Sequence, residues 1–342
     1  MNTPTTVDRD LADMMSAVFA DHREKHEPAD GAAAWDLPLW QRLTELGLVR
    51  LTGREESGGS GAGWPEAAEL LRAAAWHGVR LPLAEHDLLA CWLLESADLP
   101  ADSARRTVCL LDDSGTAHGV PWASTAERIV VLWRHDGTFR AADAETSALT
   151  IEAGTNLAGE PRDTVTADPA RLSGTPVPDS VVDAVRLRGA LVRGLQVCAV
   201  LDRILDLTTT HATQRVQFGR PLARFQAVQQ LVADIAAEAA LARAATEAAL
   251  ATAVHTGWSG AEAEFRIAVA RSCAGHAASV VVRNAHQVHG AIGTTREHRL
   301  HEFTRPALAW RSEYGSVHFW DDALTATALT AGGPDLWALI TS

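Results

Sequence analysis

The chain has 342 residues, 47% of them hydrophobic, and is therefore long enough for two or three structural units around a sizeable core. Its formal net charge of −13 at pH 7 argues against nucleic acid or an anionic membrane as the main partner. The four cysteines show no CxxC or His/Cys spacing, which predicts neither a disulfide framework nor a zinc site. The N-terminal segment lacks the charge and apolar pattern of a signal peptide, and no run of about 18 apolar residues occurs, so we expect a cytoplasmic protein without a membrane span.

Residues 1–99 are predicted to form an N-terminal helical domain. Tryptophan and leucine recur at close to helical spacing over Ala34–Leu48, and residues 55–63 form a glycine-rich loop. Two further helices are predicted at Glu66–Trp76 and Ala84–Glu95.

Residues 100–177 differ in composition from the segments on either side, and their pattern predicts a small β middle domain. Thr107–Leu111 and Arg128–Trp133 are short runs rich in β-forming residues and bounded by polar or turn residues. His135–Thr138 contains Asp-Gly, the dipeptide that favours a tight hairpin turn.

Residues 178–342 are predicted to be helical again. Helices this long and apolar bury one another, which predicts an antiparallel bundle. A Gly-Gly-Pro-Asp segment at 332–335 is predicted to end the helical pattern. The predicted helices are Ser180–His211, Phe225–His255, Gly260–Ala291, Glu297–Leu308 and Val317–Ala328.

A polar corner joins the first two of these long helices. It concentrates guanidinium groups, amides and an aromatic ring, a set that suits a planar anionic ligand, because arginine binds phosphate bidentately and free N–H groups at a helix start attract anions. The alternative from the residues alone is a helical hairpin whose polar corner faces water. The corner carries Arg215, Gln217, Phe218, Arg220, Arg224 and Gln226.

The corner sequence, Arg-x-Gln-Phe-Gly-x-Pro-Leu-x-x-Phe-Gln, resembles the cofactor-binding signature of the acyl-CoA dehydrogenase family. A second block, Gln287–His298, is similar to the later flavin motif of that family, Gln-x-x-Gly-x-x-Gly followed by an acidic residue. The resemblance is good over residues 180–320, recognisable over 36–100 and poor between them. It implies a mostly α fold with a small β middle domain, namely an N-terminal helical domain, a β domain and a C-terminal four-helix bundle.

The resemblance also implies FAD as the cofactor. In the family, the corner of one subunit reaches the flavin dinucleotide of its neighbour, so a dimer or tetramer is expected. For the second block, a glycine helix stop beside solvated Gln and His side chains is the alternative. The implied FAD-binding residues are Arg215, Gln217, Phe218, Gln226, Gln287, Gly290 and Gly293.

Acyl-CoA dehydrogenation requires a carboxylate that removes the α-proton of a thioester. In the family alignment, the usual glutamate position falls on Tyr314, a candidate pocket residue, and Glu313 lies one residue earlier. The other position that family members use is near Gly189, and Leu187–Leu201 contains no carboxylate. Glu313 is therefore the candidate base, with a solvated partner of Arg311 or of a neighbouring helix as the alternative.

The middle region departs from the family pattern. The Thr-Glu-Pro-x-x-Gly-Ser type motif is absent, and Gly119–Trp122 is the nearest Pro/Gly cluster. A shortened middle domain resembles a bacterial subfamily in which two unlike subunits pair.

Three functions are open at this point. The first is an FAD-dependent acyl-CoA dehydrogenase, which acts on an acyl thioester of coenzyme A or of a carrier protein and passes electrons to an electron-transfer flavoprotein. The second is a non-catalytic subunit that completes the flavin site of a partner in a heteromer, and the third is an oxidase or monooxygenase on the same fold. Several histidines lie around the second block, and His298 and His301 are three residues apart, but no third ligand is evident and we predict no metal site.

Overall fold

A computed structural model of the chain describes residues 7–26 and 33–341. The chain divides into two compact units, residues 1–189 and 190–342, and the division falls inside one long helix. In the described part of the chain, no helix combines the length and apolarity that crossing a membrane demands. The predicted domain boundaries, 1–99, 100–177 and 178–342, stay predictions.

The first unit begins with short helices whose ends are set by local capping. They are α1 (Arg9–Lys25), α2 (Leu37–Glu45), α3 (Trp64–His77) and α4 (Trp92–Ser96). Asp8 and Asp36 cap α1 and α2, because their carboxylates accept N–H groups of the first turn. The α3 helix ends at Gly78, which adopts the left-handed conformation with φ 72°.

The segment Ala84–Cys91, predicted as part of an ordinary α-helix, is instead a π-helix. All eight of its residues are buried, including His86 and Asp87, so its polar side chains need partners inside the unit. His86 Nδ1 accepts the N–H of Arg106, and Asp87 Oδ2 accepts hydrogen bonds from Thr52. The wider turn of a π-helix is compatible with these contacts to Arg106 and Thr52. The helical periodicity of the sequence alone does not reveal them.

The β region of this unit contains two small sheets. In the first, the strands lie in the order β1-β3-β4-β7, with β1 parallel to β3 and the other neighbours antiparallel. The second has the order β2-β6-β5 and is antiparallel. The predicted hairpin turn is confirmed, because Asp136 (φ 50°) and Gly137 (φ 78°) connect β3 to β4. The strands are β1 (Arg106–Leu110), β2 (Thr116–Pro121), β3 (Arg128–His135), β4 (Thr138–Glu145), β5 (Thr150–Glu152), β6 (Arg162–Thr166) and β7 (Thr175–Val177).

The second unit is a helical bundle, as predicted. The α6 helix buries a stripe of mostly small residues, since its buried positions recur at alternating intervals of four and three. The chain enters this unit through α5, which starts in the first unit. The helices are α5 (Asp179–Gln214), α6 (Gln226–His255), α7 (Ala261–His289), α8 (His301–Trp310) and α9 (Val317–Thr341).

The helical pattern does not stop at residues 332–335, which corrects the prediction for the C-terminal segment. Gly332 adopts a non-helical conformation (φ 70°, ψ 172°), so the regular helix is interrupted there as expected. A second helical stretch then continues to Thr341. Glycine and proline therefore kink this helix rather than end it. The residues after the kink are still apolar enough to form a further helical stretch.

Candidate functional site

The polar corner between α5 and α6 is a β-hairpin. Its strands are β8 (Val216–Gln217) and β9 (Arg220–Pro221), and the two residues of its turn, Phe218 and Gly219, have φ of 50° and 78°. Two successive positive φ angles are typical of a type I′ turn, for which glycine is suited and phenylalanine is not. The hairpin therefore holds an aromatic side chain at its tip in an unfavourable backbone conformation.

The side chains of this corner are open to solvent. Phe218 is 92% exposed, and Arg215, Gln217, Arg224 and Gln226 are exposed as well. No side chain caps the N-terminus of α6, so the first N–H groups of a long helix are available to an anion.

Arg220, which is also exposed, contacts an aromatic ring within the corner. Its guanidinium lies 4.2 Å from the centroid of the Phe225 ring, a cation–π contact that orients it beside the start of α6.

The second predicted block lies at the end of α7. Gln287 is exposed, and Gly290 ends the helix with φ 63° and with open space where a Cβ would stand. Gly293 has a different environment: it is buried, and an added Cβ would lie 2.7 Å from the Cβ of His289 and 3.2 Å from Cδ2 of Leu300. Packing inside the chain therefore accounts for Gly293, whereas Gly290 leaves its backbone accessible.

The fold brings the two predicted blocks together. The imidazole of His211, whose carbonyl accepts the N–H of Arg215, stacks on that of His289 with ring centroids 4.4 Å apart. His298 completes the group, with its centroid 4.5 Å from that of His289. Nothing in the sequence indicated this contact, because His211 is remote from the other two along the chain.

Glu313 and Tyr314 lie in the short connection between α8 and α9. One carboxylate oxygen of Glu313 is 2.6 Å from Nε of Arg193, a side chain that is 2% exposed and that belongs to α5. Tyr314 adopts a positive φ of 54°, and the Arg193 guanidinium is 5.7 Å from its ring centroid. The alternative interpretation of Glu313 names Arg311 or a neighbouring helix as its partner, and the pair with Arg193 is one with a neighbouring helix, α5.

A second buried arginine fixes the same connection. Nη2 of Arg271 donates to the carbonyl oxygens of Arg311 (3.0 Å) and Glu313 (2.8 Å). Its burial lowers the pKa of Arg271 to about 10, so it is still charged at neutral pH. The backbone around Glu313 is thus held in place by α7 while its side chain is held by α5.

Known acyl-CoA dehydrogenases resemble this chain. The family model for the C-terminal domain of acyl-CoA dehydrogenase matches residues 187–317, the region that contains both blocks and Glu313. Acyl-CoA dehydrogenase IpdE2 of Mycolicibacterium smegmatis is 28% identical over 302 residues, which is 83% of this chain and 88% of the relative. Residues 187–317 thus match the C-terminal domain of acyl-CoA dehydrogenases, and most of the chain is similar to one such enzyme.

Solved structures show the same fold at low sequence identity. The ChsE4-ChsE5 complex from Mycobacterium tuberculosis contains a chain that is 20% identical, with a TM-score of 0.83 over 97% of this chain and 100% of that one. A glutaryl-coenzyme A dehydrogenase in complex with glutaryl-CoA is 19% identical, with a TM-score of 0.73 over 97% of this chain and 98% of that one. The mostly helical fold with a small β region, expected from the family resemblance, is confirmed.

The residues of the two blocks fit FAD as a ligand. The dinucleotide carries a negatively charged pyrophosphate and a flat adenine, and the corner offers exposed guanidiniums, amides and an uncapped helix N-terminus. At the end of α7, Gly290 leaves room for close approach to its backbone. Gly293, by contrast, has its side-chain position filled by the protein itself.

Proposed function

We propose that the chain is a non-catalytic subunit that completes the FAD site of a heteromeric acyl-CoA dehydrogenase. The observation that carries this proposal is the ion pair between Arg193 and Glu313. A catalytic base has to offer a carboxylate oxygen to the substrate proton, but Oε2 of Glu313 is paired with a buried guanidinium, which fixes the side chain against α5. Tyr314, at the family position of the base, is a poor substitute because phenol has a pKa of about 10. The partner subunit then supplies the base.

In the heteromer, this subunit contributes to binding rather than to proton transfer. FAD, when bound, accepts the hydride that leaves the β-carbon of an acyl thioester. Arg215 binds and neutralises phosphate, Gln217 and Gln226 offer amide hydrogen bonds, and Phe218 packs against a planar group. Gln287 and Gly290 present the end of α7 to the same ligand. The thioester is carried by coenzyme A or a carrier protein, and the electrons pass on to an electron-transfer flavoprotein.

Assembly with a related subunit is supported by the surface of α6. Beside its buried stripe, the helix exposes a second row of small residues to solvent, and small side chains let another helix approach closely. The ChsE4-ChsE5 structure is that of a complex of two proteins, and its fold is the one seen here. The exposed row consists of Ala233, Ala237, Ala240, Ala244 and Ala248.

Two other functions are the alternative outcomes of the test. In one, the chain is itself an FAD-dependent acyl-CoA dehydrogenase and Glu313 leaves Arg193 to act as base. In the other, the flavin reacts with oxygen and the protein is an oxidase or monooxygenase.

The experiment compares flavin content and turnover of the chain alone and of the chain co-expressed with an acyl-CoA dehydrogenase-family chain encoded beside it. We expect colourless protein alone, and a yellow complex that oxidises a thioester with a dye or an electron-transfer flavoprotein as acceptor. In that complex, Glu313→Gln should retain turnover, whereas loss of the base should lower it by roughly 10²–10⁴-fold. A yellow chain that turns over alone, and loses this activity with Glu313→Gln, would overturn the proposal.

Glu313→Gln removes the carboxylate that pairs with Arg193, so a second variant is needed to separate loss of a base from loss of this ion pair. Arg193→Met together with Glu313→Gln removes both charges and keeps a side chain of similar length. Turnover in the complex should survive in this double variant too. Oxygen consumption without an added acceptor would indicate the oxidase.

A further inference from the structure

Three imidazoles converge where α5, α7 and the segment before α8 meet. One ring nitrogen from each of His211, His289 and His298 can be chosen so that the three atoms lie within 4.8 Å of one another. The rings of His211 and His289 are stacked, and His298 meets His289 edge to face at 63°. This cluster is distinct from the arginine corner, and the family function described above does not use it.

His289 is oriented as a ligand would be. Its Nδ1 lies 2.8 Å from the carbonyl oxygen of Ala285 and therefore carries the proton, so Nε2 is an unprotonated acceptor. That Nε2 atom is buried and has no hydrogen-bond partner among residues 7–26 and 33–341. Metal-binding histidines usually donate their second N–H to a carbonyl or carboxylate in this way, which fixes the ring and its tautomer. A buried lone pair without a donor is costly unless something binds it.

We propose that His211, His289 and His298 bind one divalent transition-metal ion of the Zn²⁺, Co²⁺ and Ni²⁺ class, with a fourth position open to water or another ligand. Imidazole nitrogen is a preferred ligand of these ions, while Mg²⁺ and Ca²⁺ require oxygen. With metal–nitrogen distances of about 2.0–2.1 Å, nitrogens in a tetrahedral site stand roughly 3.3 Å apart. The present limit of 4.8 Å is wider, and it closes by rotation of the two half-buried rings, His211 and His298, around the fixed His289.

The charges around the cluster allow a metal ion to bind but do not add to its affinity. Burial lowers the pKa of all three histidines, that of His289 to about 4, which favours the neutral imidazoles that a metal ion requires. The charges of His298 and Arg215 lower the pKa of His211 as well, and the positive charge of Arg215 also disfavours a bound cation. No carboxylate belongs to the cluster among the residues that the structure describes. We therefore expect one site of moderate rather than extreme affinity.

His298 has to change its hydrogen bonding when the metal binds. Its Nδ1 now accepts the N–H of Leu300 at 3.1 Å, which places the ring proton on Nε2. Binding through either nitrogen breaks this arrangement and costs one hydrogen bond. That exchange also suggests the most informative variant, because asparagine at position 298 can accept the same N–H from two residues away.

The test is titration of the metal-free, flavin-free full-length chain with Co²⁺, followed by absorption in the visible range, and then competition with Zn²⁺. We expect one equivalent of Co²⁺ to give the absorption of a tetrahedral nitrogen site, and Zn²⁺ to displace it. His298→Asn and His211→Ala should each weaken binding by about tenfold or more, since losing a ligand exceeds the effect of losing its hydrogen-bond partner.

The matched control is His301→Ala, which removes an imidazole three residues from His298 and outside the cluster. It should bind Co²⁺ as the wild type does. Unchanged binding in His298→Asn and His211→Ala, or a spectrum of octahedral hydrated cobalt at every ratio, would overturn the proposal. Circular dichroism of each variant shows whether it is folded. Because the readout is a cobalt spectrum in protein without flavin, failure here would leave the FAD proposal untouched.

Discussion

The carboxylate of Glu313 lies 2.6 Å from Nε of Arg193, so the only carboxylate next to the family's base position is tied to the helix that precedes the arginine corner. Arg193 also donates from Nη1 to Gln196 Oε1 at 2.6 Å. With the side chain 2% exposed, this is a nearly buried charge whose partners include a carboxylate and an amide. Such a pair stabilises less than its geometry suggests, because both charges lose hydration, but removing one partner alone is expensive.

The first prediction concerns the stability of the chain. Glu313→Gln leaves Arg193 charged and buried, and we expect it to lower the free energy of unfolding by about 2–3 kcal/mol. This is below the 3–5 kcal/mol of a fully buried pair, because Glu313 is 17% exposed and Gln196 remains. Urea denaturation of the isolated chain measures it.

Adding Arg193→Met should restore most of the loss from Glu313→Gln, since neither charge then remains. The control is Asp206→Asn, which breaks the more exposed Arg203–Asp206 pair and should change stability by about 0.5 kcal/mol or less. Equal destabilisation by Glu313→Gln and Asp206→Asn would show that Arg193 is not effectively buried.

The second prediction concerns pH and the π-helix. Burial raises the pKa of Asp87 to about 6 and lowers that of His86 to about 3. As pH falls from 6.5 towards 3, the unfolded chain takes up the His86 proton first, so this residue makes the fold less stable. As pH falls from 6 towards 3.8, the folded chain takes up the Asp87 proton first, so this residue makes the fold more stable. The two effects oppose each other over most of this range.

Asp87→Asn removes one of these opposing effects. The stability of the variant relative to the wild type should therefore be lower at pH 4 than at pH 7, by about 2–3 kcal/mol. Chemical denaturation at both pH values measures this difference. Asp113→Asn, which removes a carboxylate from an exposed turn, controls for the loss of formal charge. A parallel shift of Asp87→Asn at both pH values would contradict the raised pKa.

The parts of the structure that follow from local pattern were predictable from the sequence. The long helices of the second unit, the Asp136–Gly137 turn and the glycines at the ends of helices depend on residues near one another in the chain. The π-helix at Ala84–Cys91 was not predictable, because its geometry is associated with partners on other elements.

The candidate site also has features that the local sequence predicts and features that only the fold reveals. The arginine corner was visible as one continuous motif. The stack of His211 on His289 and the pairing of Arg193 with Glu313 join residues far apart in sequence, and no local signal indicates which pairs meet. Along the sequence, His298 and His301 have no evident third ligand, whereas the fold brings His211 and His289 to His298.

The third prediction uses the strained tip of the arginine corner. Phe218 has φ 50° and is 92% exposed. Its ring therefore adds little to the stability of the isolated chain, while its backbone conformation is unfavourable. Phe218→Asn, a residue that tolerates positive φ, should stabilise the isolated chain by about 1 kcal/mol. The same variant should lower flavin uptake by the heteromer if the ring packs against the cofactor.

Phe218→Leu separates these two effects. It removes the ring but keeps the backbone strain, so it should reduce flavin uptake without stabilising the chain. Thermal denaturation and flavin absorbance of the purified heteromer report both quantities. Uptake that is normal in both variants would show that the exposed ring is not part of the flavin site.

The fourth prediction compares two glycines of the second block. Gly290 has φ 63° and empty space around its Cβ position, while the Cβ of an alanine at 293 would meet the Cβ of His289 at 2.7 Å. Gly293→Ala should therefore destabilise the chain by about 1–3 kcal/mol and displace His289, because a Cβ attached to the backbone cannot swing away. Gly290→Ala should also cost about 1–3 kcal/mol, because a backbone at φ 63° and ψ −145° is close to a region that is essentially restricted to glycine.

Flavin affinity should separate the two variants, although both lose stability. If the backbone at Gly290 approaches FAD, an added methyl group there keeps the cofactor at a distance, and Gly290→Ala should bind flavin more weakly than its loss of stability explains. Gly293→Ala, measured at a temperature where it is folded, should bind flavin nearly as the wild type does, because its methyl group points into the protein. The measurement is flavin titration of the heteromer beside a denaturation curve for each variant. Normal flavin binding by Gly290→Ala would reduce Gly290 to a residue that ends α7, and the cofactor contact would then depend on Gln287 and the arginine corner.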